Sequence, residues 1–132
     1  MKHQIIMRII GSEQGLITKD LSNSKNDAVL INSISYSREK DENDIPIIRF
    51  TIDKDLDHST AFILDAIKNN EKVDVTIKYT IDDEEPSIVN YDNVIIDNMQ
   101  SLFCAEGFDF DDNFAMIRKG KPYELIQMIA YN

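Results

Sequence analysis

A single amphipathic helix set between strands is the feature that most restricts the folds open to this sequence. The helical pattern lies within residues 46–79, and its apolar residues recur at the spacing of one helix face: Phe62, Ile63, Ala66 and Ile67. After the helix, apolar and polar residues alternate from Val73 to Tyr79, as they do in a half-buried strand. The sequence therefore predicts one helix inserted in an otherwise β chain.

Residues with known preferences for helix ends predict that this helix spans residues 60–70. Thr60 is the predicted N-cap, because its hydroxyl can accept a hydrogen bond from a backbone N–H of the first turn. Asn69-Asn70 is the predicted end, since asparagine tolerates the left-handed conformation that terminates helices. Lys68 and Lys72 lie near this end, where the helix dipole favours positive charge.

The rest of the chain reads as short strands separated by polar segments. The predicted strands are residues 3–10, 28–36, 45–52, 72–80, 87–96, 98–104, 112–118 and 122–131. The polar segments include SEQG at 12–15, REKDEND at 38–44 and DDEEP at 82–86. Short strands at nearly regular spacing are typical of a β-sandwich or barrel. The predicted fold class is mainly β, with the helix covering part of the barrel.

Length and composition indicate a single globular domain. We expect residues 1–132 to form one domain, because this length supports a core without disulfides or metals. The chain is 42% hydrophobic, and no apolar run approaches the roughly 20 residues that span a bilayer. The N-terminal MKHQIIMRIIGSE is interrupted by Arg8 and lacks a small-residue cleavage site, so it reads as a strand and not as a signal peptide.

Charge and cysteine content narrow the possible partners. The formal net charge of −10 argues against nucleic-acid binding and against anionic membrane surfaces, because no basic stripe is present to neutralise phosphates. The same acidity can match a basic partner. The lone Cys104 cannot form an intrachain disulfide, which suits a chain folded in a reducing cytoplasm.

Candidate catalytic and metal-binding residues are few. The run from Asp53 to Asp57 resembles the start of a calcium loop, but His58 and Leu64 stand where an EF-hand needs Gly and Glu. We therefore interpret this run as a solvated acidic turn. His58 with Cys104 could supply a base and a nucleophile, although no local motif supports that pairing.

Two further acidic runs have no metal-ligand periodicity and read as solvated loops: Asp82-Asp83-Glu84-Glu85 and Asp109-Phe110-Asp111-Asp112. The chain holds only four glycines, and none forms a phosphate-binding motif. The sequence predicts no catalytic residue, no cofactor site and no metal site, and hence no enzyme.

Three segments, which follow one another in the same order and at the same spacing as in the family, resemble the haemolysin-coregulated protein (Hcp) family. This family is the tube protein of bacterial type VI secretion systems. Gln14-Gly15-Leu16-Ile17 is similar to the QGLI that follows the first strand in the enterobacterial-type members. Residues 45–51 followed by Asp57-His58-Ser59-Thr60 resemble the family's strand and helix start. Residues 66–74 resemble its helix end and next strand. Ala61 stands where the family usually has Pro, and the loop at 37–45 is shorter than the family's extended loop, which helps rings to stack.

The resemblance implies a two-sheet β-barrel with one short α-helix packed on its side. It also implies a structural subunit that forms hexameric rings, which stack into a tube inside a contractile sheath and beneath a spike complex. Small effectors would travel in the lumen. The protein would leave the bacterial cytoplasm through type VI secretion without a cleaved signal peptide. The alternative function is a small acidic binding protein, such as an immunity protein that neutralises a basic toxin.

Overall fold

The computed structural model describes residues 3–19, 27–82, 84–102 and 122–131. Within these residues it contains eight strands and one helix: β1 His3–Gly11, β2 Gly15–Leu16, β3 Val29–Ile31, β4 Ser33–Lys40, β5 Pro46–Asp55, α1 Thr60–Lys68, β6 Lys72–Ile81, β7 Ser87–Leu102 and β8 Tyr123–Tyr131. The prediction of a mainly β chain is confirmed, and the described residues contain the one helix that the sequence predicts. The helix in the described part of the chain is too short to cross a membrane.

The strands pair antiparallel in the order β2-β1-β6-β7-β8-β5-β4, and β3 pairs with β1 beside β2. A single residue, Asn32, separates β3 from β4, and its backbone N–H donates to the carbonyl of Asp53 on β5 (2.7 Å). Segment 29–40 therefore pairs with β1, near one end of the strand order, through β3, and with β5, near the other end, through β4. This segment brings the two edges of the sheet together around one core.

The core is formed by the side chains on one face of the strands, and most of these side chains are apolar. On β5 and β8, every second residue is buried, and Phe50 pairs directly with Met128 across the two strands. The fully buried side chains of the core include Met7, Ile9, Phe50, Ile52, Ile63, Ile77, Ile126 and Met128. Burial of a large apolar side chain contributes about 1.5–3 kcal/mol, so these rows of residues dominate the stability of the fold.

The helix buries the predicted face. Ile63 and Ala66 are buried, and Phe62 and Ile67 pack against the same core. The predicted N-cap is wrong, because Ser59 takes this position. The hydroxyl of Thr60 instead accepts from the backbone N–H of Asp57 (3.2 Å), outside the helix.

The predicted helix end is confirmed. The helix stops at Lys68, Asn69 is its C-cap, and Asn70 adopts the left-handed conformation with φ 52°. The next strand starts at Lys72, so the chain reverses within a few residues. This tight reversal fixes the position of Glu71, which lies between the helix and β6.

Several predicted strand bounds differ from the structure. The predicted strand 28–36 is divided at Asn32, and the polar residues 38–40 belong to β4 and not to a turn. Their polarity misled the sequence interpretation, since most of β4 is exposed to solvent. Gly15–Leu16 forms a short strand that the sequence analysis assigned in part to a polar segment.

The predicted strands 87–96 and 98–104 are one long strand, β7, at least as far as Leu102. The register with β8 shifts between Ile96 and Asn98, so Asp97 occupies a bulge. A bulge bends a strand without ending its pairing, so β7 stays continuous while its first part pairs with β6 on one edge and its second part with β8 on the other. The predicted strand 112–118 lies outside the described residues.

Replacing a buried residue of the helix tests its assigned face. We expect Ile63→Ala to lower the free energy of unfolding by about 2–5 kcal/mol, because it leaves a cavity in the core. Leu64→Ala is the matched control, since Leu64 is 49% exposed and should cost within about 0.5 kcal/mol. Urea denaturation would measure both, and equal losses would contradict the assigned face.

Candidate functional site

The carboxylate of Glu71 joins the β1–β2 turn to the end of the helix. It accepts hydrogen bonds from the backbone N–H groups of Glu13 (2.8 Å) and Gln14 (2.7 Å) and from the side-chain amide of Gln14 (2.8 Å). The same amide donates to the carbonyl of Phe62 on the helix (3.0 Å). Glu71 is only 4% exposed, so a single buried charge links three parts of the chain.

The backbone around Glu71 is shaped to admit this contact. A Cβ atom added to Gly11 would lie 2.1 Å from Oε2 of Glu71, so only glycine allows the carboxylate to approach β1. Gly15 has a φ of +77°, which lets the turn reverse into β2. The N–H of Glu71 donates to the carbonyl of Ala66 (2.8 Å), which holds the residue against the helix end.

The hydrogen bonds to Glu71 also set its ionisation. Burial alone would raise its pKa, but the backbone N–H of Gln14, the side-chain amide of Gln14 and the N–H of Glu13 outweigh that effect. The pKa of Glu71 is therefore held below its usual value, because these donors favour the charged form. The carboxylate stays ionised and keeps its three donors.

A double-mutant cycle tests the contact between Gly11 and Glu71. We expect Gly11→Ala to cost about 1–3 kcal/mol, because the new methyl group displaces the carboxylate and leaves its donors unpaired. In a Glu71→Ala background the same substitution should cost clearly less, since the atom that it strikes is gone. Additive costs in chemical denaturation would contradict the proposed contact.

The pKa of Glu71 predicts a pH-dependent contribution to stability. Because its folded-state pKa is lowered, this carboxylate stabilises the fold fully above its unfolded pKa of about 4.3, and this effect is lost as the pH falls through the folded pKa. The stability difference between the wild type and Glu71→Gln should therefore be largest at neutral pH and shrink on acidification. Glu13→Gln keeps the backbone N–H donor to Glu71, so its stability should depend on pH as that of the wild type does. A pH-independent difference would contradict the assignment.

A second cluster of buried charged side chains lies at the edge of the core, next to the start of the helix. Lys54 and Glu124 are cross-strand partners on β5 and β8, both 0% exposed, and Nζ of Lys54 lies 2.7 Å from Oε2 of Glu124. This contact is an ion pair and not an aligned hydrogen bond, because neither carboxylate oxygen of Glu124 has a hydrogen-bond partner among the described residues. Nζ donates to Oδ1 of Asp57 (2.9 Å) and to the carbonyl of Asp55 (3.0 Å).

This cluster corrects the interpretation of residues 53–57 as a solvated acidic turn. Asp53 and Asp55 belong to β5, and strand alternation directs Lys54 between them into the core. Oδ1 of Asp57 also accepts from the N–H and the hydroxyl of Ser59 (2.9 and 2.6 Å), which orders the chain before the helix. The segment is therefore a structural connection, organised around a buried lysine.

Removing one partner of the buried pair should destabilise the protein strongly. We expect Lys54→Met to cost about 3–5 kcal/mol, because Glu124 would keep an uncompensated charge in the core. Lys54→Met with Glu124→Leu should recover much of that loss, since both charges are then absent. Lys78→Met, on an exposed position of β6, is the control. Thermal denaturation would measure the stability of each variant. Equal melting temperatures of the single and double variants would contradict this account.

Within residues 3–19, 27–82, 84–102 and 122–131, no group of three His, Cys, Asp or Glu side chains could hold a metal ion. A ring nitrogen of His58, Nε2, contacts the carbonyl of Thr18 (2.8 Å) and thereby joins the segment before the helix to the segment after β2. Cys104 and the run 109–112 lie outside the described residues, so the structure does not test whether Cys104 lies near His58.

The turn between β4 and β5 is short and self-contained. Oδ1 of Asp41 accepts from the N–H groups of Asn43 and Ile45 (both 2.9 Å), and the N–H of Asp41 donates to the carbonyl of Ile45 (2.9 Å). Lys40 pairs with Asp44 at 3.6 Å on the surface. Because β4 continues to Lys40, little chain is left to extend from this end of the sheet.

Comparison with solved structures identifies the architecture. A crystal structure of an Hcp protein superposes with a TM-score of 0.69 over 98% of this chain and 88% of that chain, at 15% sequence identity. The chain has the Hcp fold. The secreted protein Hcp3 from Pseudomonas aeruginosa gives a TM-score of 0.63 over 96% of this chain and 86% of that chain, at 16% identity.

The Hcp1 protein from the E. coli EAEC 042 pathovar, in a mutant form, gives a TM-score of 0.65 over 97% of this chain and 84% of that chain, at 10% identity. Neither protein-family models nor curated proteins match the sequence. The resemblance to Hcp is therefore confirmed for the fold, which is retained although few residues are identical.

The Hcp fold joins the segments that carry the sequence resemblance. Gln14, from the QGLI segment, donates to Phe62 on the helix and to Glu71 after it. Ile17, from the same segment, is 1% exposed in the core. Sequence reasoning identified these segments but missed the role of Glu71. This residue lies in a polar run, and only its position next to the helix end could have suggested that it is buried.

Proposed function

We propose that this chain is a structural subunit of a type VI secretion tube. Copies form hexameric rings that stack, and the lumen carries or chaperones small effectors. The observation that supports this most strongly is the Hcp fold, which extends over 96–98% of the chain in three comparisons. The proposal assigns the protein a mechanical and transport role without covalent chemistry, cofactor or metal.

The location and partners follow from this role. The chain would fold in the bacterial cytoplasm and leave through type VI secretion without a cleaved signal peptide, and one of the similar structures is a secreted Hcp. Its partners would be copies of itself, the sheath and spike components, and small effectors. The three similar structures are all Hcp proteins, so they do not support the alternative of an acidic immunity protein.

Ring formation and ring stacking make different demands on this chain. A closed ring uses head-to-tail contacts, so each subunit needs two different complementary surfaces. Stacking in the family is helped by an extended loop, whereas here the β4–β5 connection is the tight turn around Asp41. We therefore expect rings to form more readily than tubes, and the two steps are separable in experiment.

Ring mass as a function of ionic strength tests the proposal. Each copy carries a formal charge of −10, so neighbouring subunits repel one another at low salt, and moderate salt screens this repulsion. Light scattering after size exclusion should give six times the 15.2 kDa chain, with the hexamer fraction rising from low to moderate salt. A monomer at every protein and salt concentration would contradict the proposed function, and a hexamer favoured at low salt would contradict the electrostatic argument.

A further inference from the structure

An open cavity of about 330 Å³ lies where β4 and β5 face β6 and β7. Its lining is aromatic and aliphatic apart from one arginine: Tyr36, Arg38, Ile48, Tyr79, Val89 and Tyr91. Ligand pockets begin at about 300 Å³, and an apolar cavity of about 150 Å³ accommodates benzene. The cavity is therefore large enough for a single aromatic ring with a short substituent.

One wall of the cavity is a packed aromatic cluster. The rings of Phe50 and Tyr91 are stacked with centroids 5.1 Å apart and an interplanar angle of 26°, and Tyr36 lies against both at 6.1 and 6.4 Å. Ring pairs at these distances are attractive beyond the effect of their burial. Because Phe50 is fully buried in the core, the rings of Tyr36 and Tyr91 that pack on it are held in place.

The tyrosine hydroxyl groups leave one proton for an acceptor outside the cluster. The hydroxyl of Tyr36 is hydrogen-bonded to that of Tyr79, and it also interacts with Tyr91. Burial, and then the hydrogen bond to Tyr79, raises the pKa of Tyr36 well above its ordinary value, so this phenol stays protonated. The hydrogen bond between Tyr36 and Tyr79 uses one of the two phenol protons, so the other O–H of this pair remains available as a donor.

Arg38 supplies a positive charge at the same cavity. Alternation along β4 puts Arg38 on the face of Tyr36, and the two residues pair with Ile48 and Phe50 of β5. Of the three arginines in the described residues, Arg8 and Arg49 have carboxylate partners, whereas Arg38 has none. A guanidinium without a partner, in a chain of net charge −10, can accept a carboxylate in bidentate geometry.

We propose that this cavity binds a small aromatic carboxylate. The ring of the ligand would pack on Tyr91 between the side chains of Ile48 and Val89, and its carboxylate would accept from Arg38 and from the remaining phenol O–H. This site is independent of the proposed tube function, because it uses groups within one copy of the chain. Ring assembly could therefore fail without affecting the binding, and binding could fail in an intact ring.

Isothermal titration calorimetry with benzoate and phenylacetate tests this proposal directly. We expect saturable binding to the full chain, which weakens with added salt because it depends on Arg38. Benzamide has the ring without the charge, and acetate has the charge without the ring. Each should bind at least about tenfold more weakly than the better of the two acids, a difference of about 1.4 kcal/mol.

Matched variants assign the site. Arg38→Gln should weaken binding by at least about tenfold, whereas Lys40→Gln, an exposed cation on the same strand, should leave it unchanged. Circular dichroism would verify that both variants are folded, and Val89→Glu should abolish binding in a second, independent test. Absence of saturation at millimolar acid, equal binding of benzamide, or unchanged binding by Arg38→Gln would each overturn the proposal.

Discussion

The buried carboxylate of Glu71 is the interaction on which the arrangement of this fold most depends. An isolated charge in a protein interior is costly, and here three hydrogen-bond donors offset that cost. All three come from the β1–β2 turn, while Glu71 itself follows the helix. The contact thus sets the helix against β1, the strand that pairs with β2, β3 and β6. Gly11 is the residue that makes this approach possible.

The sequence predicted the parts of the fold that depend on local periodicity. The apolar face of the helix, including Ile63 and Ala66, followed from helical spacing, and the end at Asn69-Asn70 followed from the backbone preference of asparagine. Alternation likewise predicted most of the strands. Where a strand is largely exposed, as at the end of β4, its residues resemble a turn, because alternation is visible only when one face is buried.

The contacts missed by sequence reasoning join residues far apart in the chain. Lys54 stands among aspartates, and only its pairing with Glu124 on β8 explains why a lysine is buried there. Glu71 stands in a polar run, and its donors lie more than fifty residues earlier. Neither partner follows from spacing. The family resemblance did indicate the relevant segments, since Gln14 and the helix end belong to it, but it did not indicate that a buried charge joins them.

The scaffold of this protein is distinct from the two functions that we propose for it. The two buried charge clusters stabilise a single copy of the chain. The proposed tube function needs the assembly of several copies, whereas the proposed aromatic-carboxylate site lies within each copy. The scaffold is the common basis of both, and it depends on Glu71. Amide hydrogen exchange of Glu13 and Gln14, followed by NMR, tests this dependence most directly. The account predicts slow exchange at both amides in the wild type and fast exchange in Glu71→Ala, and fast exchange in the wild type would contradict it.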